Sequence, residues 1–139
     1  MALADLMREA VVTAAPDTPV SDVAKTMRDE NVGSVVVVDG EAPVGLVTDR
    51  DVAVRIAADR LDAGEMDAEA VMTEDPVTVD VETGIFELSE RMCEADVRRM
   101  PVLEDGALVG IVTMDDLHVL LVGELDNLTD VIRSESPPY

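Results

Sequence analysis

The sequence predicts an α+β fold: two βαββα repeats related by pseudo-twofold symmetry and closed into one module. Three observations predict it. "GLVTDRD" at Gly45–Asp51 returns as "GIVTMDD" at Gly110–Asp116, 65 positions on. The rest of the chain keeps that offset without a gap, so Met7 falls on Met72, Thr18 on Thr83, Met27 on Met92 and Val37 on Val102. Within each copy, apolar residues at helical spacing alternate with short β-branched runs. Two copies are too few for a solenoid, which needs at least ~3 units, so the halves must close on each other.

The elements follow in order. A short strand is expected at Val12–Thr13 and again at Val77–Thr78. Thr18 and Thr83 are candidate N-caps, with Pro19 at the first helical position of the first copy. Val20, Val23, Ala24 and Met27 then share one helix face, as do Ile85, Leu88 and Met92. Two strands come next, Val35–Val38 and Val44–Val47, joined by a tight turn carrying Gly40. Met100–Leu103, "EDGA" and Leu108–Val112 repeat them. A second helix is expected from Asp49 to about Ala58, and from Met114 to about Val122. The polar stretch 59–69 links the halves. The repeats are placed at residues 1–62 and 63–122. Residues 123–139 read as a tail with a short helix around Leu125–Ile132 and a frayed "SESPPY" end.

A chain of 139 residues can bury one sizeable core. Its apolar residues are almost wholly aliphatic, since Phe86 and Tyr139 are the only aromatics. No apolar run approaches the ~18 residues of a membrane span, and the first residues lack the features of a secretory signal. A cytoplasmic protein without membrane contact is expected. The single cysteine, Cys93, excludes an internal disulfide; beside Met92, it is expected on the apolar side of a helix. Thirty-one acids face ten cations, a net charge of -21. Such a surface repels nucleic-acid phosphates, which excludes that class of partner. The acids are interleaved with regular aliphatic patterns, so disorder is not the reading. A halophilic, haloarchaeal-like interior suits this charge, because ~1 M salt shortens the Debye length to ~3 Å and suppresses self-repulsion.

Thr48-x-x-Asp51 and Thr113-x-x-Asp116 each follow a strand and open a helix. One reading is a capping box, in which hydroxyl and carboxylate satisfy free N–H groups, worth about 1 kcal/mol. The other is a nucleotide site. A helix N-terminus suits phosphate, and a carboxylate can accept two hydrogen bonds from a ribose diol. A carboxylate near phosphate then needs cations close by. Arg50 lies inside the first motif, and Arg98 and Arg99 precede the second strand run. Their guanidinium forks suit phosphate oxygens.

These residues carry a resemblance. "LMREAVVTA" and "VMTEDPVTV" open the repeats; "NVGSVVVVDGEAPVGLVTDRDV" and "DVRRMPVLEDGALVGIVTMDDL" follow at constant offset. Over residues 6 to 122 the chain resembles a tandem pair of CBS domains, the regulatory domain of cystathionine β-synthase. The resemblance implies a disc with two clefts between the halves, pairing into flat homodimers. It implies adenosine-containing ligands: AMP, ADP or ATP, and in some members S-adenosylmethionine or NAD. Carried over by position, it assigns Asp51 and Asp116 to ribose hydroxyls, and Thr48 and Thr113 to sugar or phosphate. Arg98 and Arg99 match a basic pair that reaches phosphates. Ala14, Val79, Leu46, Ile111 and Met100 would line base pockets. The first half has Gly33-Ser34 where the second has Arg98-Arg99, so unequal clefts are expected.

No catalytic constellation stands out. His118 is the only histidine and reads as a partly exposed helix residue. Walker and dinucleotide glycine loops are absent. "DRD" and "MDD" could hold Mg²⁺ together with nucleotide oxygens, but no resident metal or cofactor is expected. The leading reading is a non-enzymatic adenine-nucleotide sensor acting in trans on a client protein. The others are an interaction module with empty clefts and a nucleotide hydrolase. The charge makes one prediction independent of ligand: lowering salt from molar to millimolar unfolds the protein, seen as loss of its circular dichroism. A spectrum unchanged across that range contradicts it.

Overall fold

The structure is a computed structural model and describes residues 2–136. In chain order it contains α1 (Leu3–Leu6), β1 (Thr13–Ala14), α2 (Val20–Glu30), β2 (Ser34–Asp39) and β3 (Ala42–Thr48). Then come α3 (Asp49–Asp51), which widens into a π-helical segment over Val52–Ala57, and α4 (Ala68–Val71). The second half adds β4 (Thr73–Glu74), β5 (Val79–Asp80), α5 (Ile85–Ala95), β6 (Arg99–Glu104), β7 (Ala107–Thr113) and α6 (Met114–Glu135). One sheet runs β1-β2-β3-β4 and the other β5-β6-β7. In each, a short parallel strand lies beside an antiparallel hairpin.

The hairpin turns follow from their residues. Asp105 and Gly106 both take positive φ, 51° and 81°, as a two-residue type I′ turn requires. The first hairpin places Gly40 at φ 65°. Helices α2 and α5 both end on a residue in the left-handed region, Asn31 and Asp96, tolerated because their short polar side chains favour it.

Two apolar cores result, and each is completed by the other repeat's leading segment. Leu3 from the start of the chain is wholly buried among Val79, Leu88, Met100, Val102, Val112 and Leu117. Ala68 and Val71 are buried instead among Val20, Val23, Val35, Val37 and Val47. The same exchange is written in the backbone. Arg8 and Ile111 trade both N–H···O bonds, at 2.9 and 3.0 Å. Thr73 and Glu74 pair with Leu46 and Gly45. This crossing explains the repeated glycine of the two motifs. A Cβ at Gly45 would overlap the Met72 side chain, and one at Gly110 would overlap Met7.

Four expectations are corrected. Thr18 and Thr83 do not cap α2 and α5, whose capping positions are Pro19 and Gly84. Thr18 Oγ1 accepts from Ala15 N–H instead. The free N–H groups of Val20 and Ser21 donate to Met66 and Ala63 carbonyls, so the polar link 59–69 docks on α2 as well as joining the halves. The leading strands sit one or two residues later than expected, because pairing aligns Ala14 with Val37 and Val79 with Val102 and puts Val79 into the core. Cys93 is exposed, since α5 turns Leu88 and Met92 inward and leaves position 93 outside. The tail is not a separate short helix; α6 is continuous over 22 residues. Gly123 costs it only ~1 kcal/mol and no proline interrupts it. Of "SESPPY", Pro137, Pro138 and Tyr139 lie outside the described residues.

Gly45→Ala and Gly110→Ala are each expected to destabilise by about 1–3 kcal/mol, the usual cost of an overpacked contact. Denaturant unfolding in molar salt measures it. Wild-type stability in both variants would show that the leading segments do not press on these glycines.

Candidate functional site

Both Thr-x-x-Asp motifs form complete capping boxes. Thr48 N–H donates to Asp51 Oδ2 at 2.9 Å, and Asp51 N–H donates to Thr48 Oγ1 at 3.1 Å. In the second copy, Thr113 donates to Asp116 Oδ2 through its N–H at 3.1 Å and its hydroxyl at 2.9 Å. Asp116 N–H returns to Thr113 Oγ1 at 3.2 Å. Each helix start is also tied to the strand beside it. Asp49 N–H donates to Gly33 O at 3.0 Å, and Met114 N–H to Arg98 O at 2.8 Å.

The caps occupy one carboxylate oxygen of each acid. The other oxygen faces an arginine, but a different one in each half. Asp51 Oδ1 lies 3.8 Å from Arg55, one turn along its own helix. Asp116 Oδ1 lies 3.1 Å from Arg8, delivered by the leading segment of the other repeat. Burial pushes the Asp116 carboxyl up. Hydrogen bonds from Arg8 and Thr113, with the Arg8 charge, outweigh that and hold it below the usual carboxylate range.

A cleft of about 230 Å³ opens at this second junction. Arg8, Ala10, Val11 and Val12 of the leading segment form one wall. Asn31, Val32, Gly33 and Ser34, between α2 and β2, form another. Arg99, Ile111, Thr113 and Asp115 close it from the second half. Arg99 crosses the pseudo-twofold to donate to Gly33 O at 3.1 Å. The volume is just below the ~300–1,000 Å³ of typical small-molecule sites.

Of the residues singled out in the sequence, Thr113, Arg99 and Ile111 line this cleft, and Asp116 adjoins it through Thr113 and Arg8. Thr48, Arg50 and Asp51 belong to the other junction, where Arg50 is exposed. Leu46 is half-buried on β3, beside Thr73. Ala14 is half-buried against the first core. Arg98 is exposed at the start of its strand. Met100 and Val79 are core side chains, 0% and 1% exposed, and do not reach the cleft. Sequence reasoning missed Arg8, Val11, Val12 and Asp115. Only the offset itself hinted at them: Arg8 stands where the second copy has Thr73, and Asp115 where the first has Arg50.

A CBS domain family profile matches residues 3–58 and again residues 68–123. The chain belongs to the CBS domain family. CBS domain-containing protein YhcV of Bacillus subtilis is 33% identical over 115 residues, 83% of this chain and 81% of its own length. Protein MK0525 of Methanopyrus kandleri is 30% identical over 119 residues, 84% of this chain; the match spans 61% of that relative's length. Among solved structures, the CBS domain pair of protein MJ0100, in complex with 5-methylthioadenosine and S-adenosyl-L-methionine, superposes with a TM-score of 0.79. It is 24% identical and covers 89% of this chain and 98% of its own. CBS pairs are commonly regulatory, ligand-binding modules. No helix among the described residues is long and apolar enough to cross a membrane.

The lowered pKa of Asp116 has a consequence with a definite sign. A carboxyl held lower in the folded state adds stability above its unfolded pKa, and loses it as pH falls through the folded value. Asp116→Asn should therefore flatten the loss of stability on acidification below the usual carboxylate range. Denaturant midpoints of both proteins through that range measure it, and parallel curves would contradict it. The Arg8 pair contributes little of this, because Arg8 is 67% exposed and such pairs are worth ~0–1 kcal/mol.

Proposed function

We propose that this CBS pair is a non-enzymatic regulatory module that binds an adenosine-containing ligand in the cleft between its repeats, and passes the signal to a client protein in trans. One observation carries the reading. Two guanidinium groups, Arg8 and Arg99, flank a cleft at whose edge Asp116 keeps one carboxylate oxygen outside its own cap. A ribose diol can take the place of Arg8 at that oxygen. The released guanidinium is then free for phosphate, which resolves the clash between carboxylate and phosphate. Val11, Val12, Val32 and Ile111 offer apolar surface to a base.

The two halves are unequal in a way that bears on ligand choice. Arg8 and Arg99 stand where the opposite copy has Thr73 and Ser34. This supports tighter binding at the Asp116 junction than at Asp51. Asp115 adds a negative charge to the same cleft. A ligand with one phosphate, or with a cationic group as in S-adenosylmethionine, fits that balance better than a free triphosphate.

Thermal or denaturant stability in high salt, measured with AMP, ADP, ATP with and without Mg²⁺, NAD and S-adenosylmethionine, tests the proposal. A ligand at 100 times its dissociation constant should stabilise by about 2.7 kcal/mol. Asp116→Ala should abolish the shift while costing the fold about 1 kcal/mol of capping. No shift with any of these compounds would favour an interaction module whose two Thr-x-x-Asp motifs serve only as caps. Hydrolysis of ATP by the purified chain would favour an enzyme.

A further inference from the structure

Helix α6 outruns the body that supports it. Of its 22 residues only Leu117 is buried, in the second core. Leu121, Leu125, Leu128 and Ile132 continue the same face at alternating spacings of four and three. They are 54%, 63%, 63% and 66% exposed. Val122 and Val131, also exposed, widen the stripe. A helix of about four turns is not stable in water by propensity alone, and a contiguous apolar patch of this kind marks an interaction surface. At the base of the stripe lies a second cleft of about 370 Å³. Met92 and Cys93 from α5, with Met114, Leu117 and Leu121 from α6, give it apolar walls. Leu121 belongs to both features.

We propose that this face pairs with itself in a second copy, the two α6 helices running antiparallel so that the last turns of one cover the cleft of the other. The heptad spacing of Leu121, Leu125, Leu128 and Ile132 is what self-pairing helices use. Two heptads alone fall short of the ~800 Å² per partner of a standard interface, and covering the adjoining cleft supplies the remainder. The polar side of the helix argues against a lipid surface. It carries Asp126 and Asp130 with Arg133 as its only cation, where a helix lying on a membrane presents basic residues. Charge also sets the direction. Antiparallel pairing brings Glu135 toward the partner's His118, whereas parallel pairing sets Glu124 and Glu135 against their own copies. It also keeps two bodies, in a chain of net charge -21, at opposite ends of the helix pair. This surface shares no residue with the cleft at Thr113, so it stands or falls independently of the ligand.

Sedimentation of the full chain in molar salt should give a dimer. Leu125→Glu/Leu128→Glu should halve the mass and leave the circular dichroism unchanged, because neither side chain is buried within one copy. In a Cys93→Ser background, Leu121→Cys/Ile132→Cys should form an interchain disulfide on mild oxidation, while Leu121→Cys alone should not. A monomeric wild-type chain overturns the proposal, as does a double-glutamate variant that dimerises like the wild type. Efficient cross-linking by Leu121→Cys alone is the mark of parallel pairing and overturns it too.

Discussion

The structure depends on one reciprocal contact: the leading segment of each repeat finishes the sheet and core of the other. Arg8 and Ile111 exchange both backbone hydrogen bonds, and Thr73 does the corresponding work beside Leu46. A half by itself would expose an open sheet edge and a core lacking Leu3, or Ala68 and Val71. Folding of the two halves is thereby coupled. Methionine packs over glycine at both crossings because two segments must approach closely there. A thioether chain tolerates the irregular space.

The crossing also builds the cleft. Once Arg8 is pinned to Ile111, the residues after it run along the junction and supply Val11 and Val12 as a wall. The Arg8 side chain then reaches an aspartate 108 positions away in sequence. The fold's assembly step and its candidate ligand site are therefore one piece of geometry. A ligand that displaced Arg8 from Asp116 would act directly on the segment that locks the halves together. The energy available for such a signal is bounded by the ligand's differential affinity for the two arrangements, ordinarily ~1–3 kcal/mol.

Capping and ligand binding do not exclude each other at these motifs. A carboxylate has two oxygens, and Asp116 spends Oδ2 on Thr113 and Oδ1 on an exposed guanidinium. The first bond set keeps the helix start rigid, and the second can be exchanged. Asp51 is built alike, except that its arginine comes from its own helix. That difference, small in sequence, separates a junction that bridges two repeats from one that closes on itself.

The strands, the hairpin turns and the buried faces of α2 and α5 were legible because each follows from local periodicity and turn chemistry. Val35 to Val37, Gly40, Leu88 and Met92 needed no knowledge of a partner. The Thr-x-x-Asp motifs were legible as caps, and as a possible site, for the same reason: both uses are local to a strand-to-helix turn. Arg8 and the burial of Met100 were not, because they depend on which segment crosses to which half. Helix starts were misread where Thr18 and Thr83 looked like caps, since carbonyls from a distant link satisfy α2 instead. By itself, then, the sequence determined two copies of one α/β unit, their turns, and the acids poised at their helix starts. Only the tertiary structure decided that the copies exchange their first segments, which arginine meets which acid, and that α6 extends past its support. Hydrogen bonds between neighbours along the chain are encoded locally, whereas contacts across a pseudo-twofold axis exist only once the chain has closed.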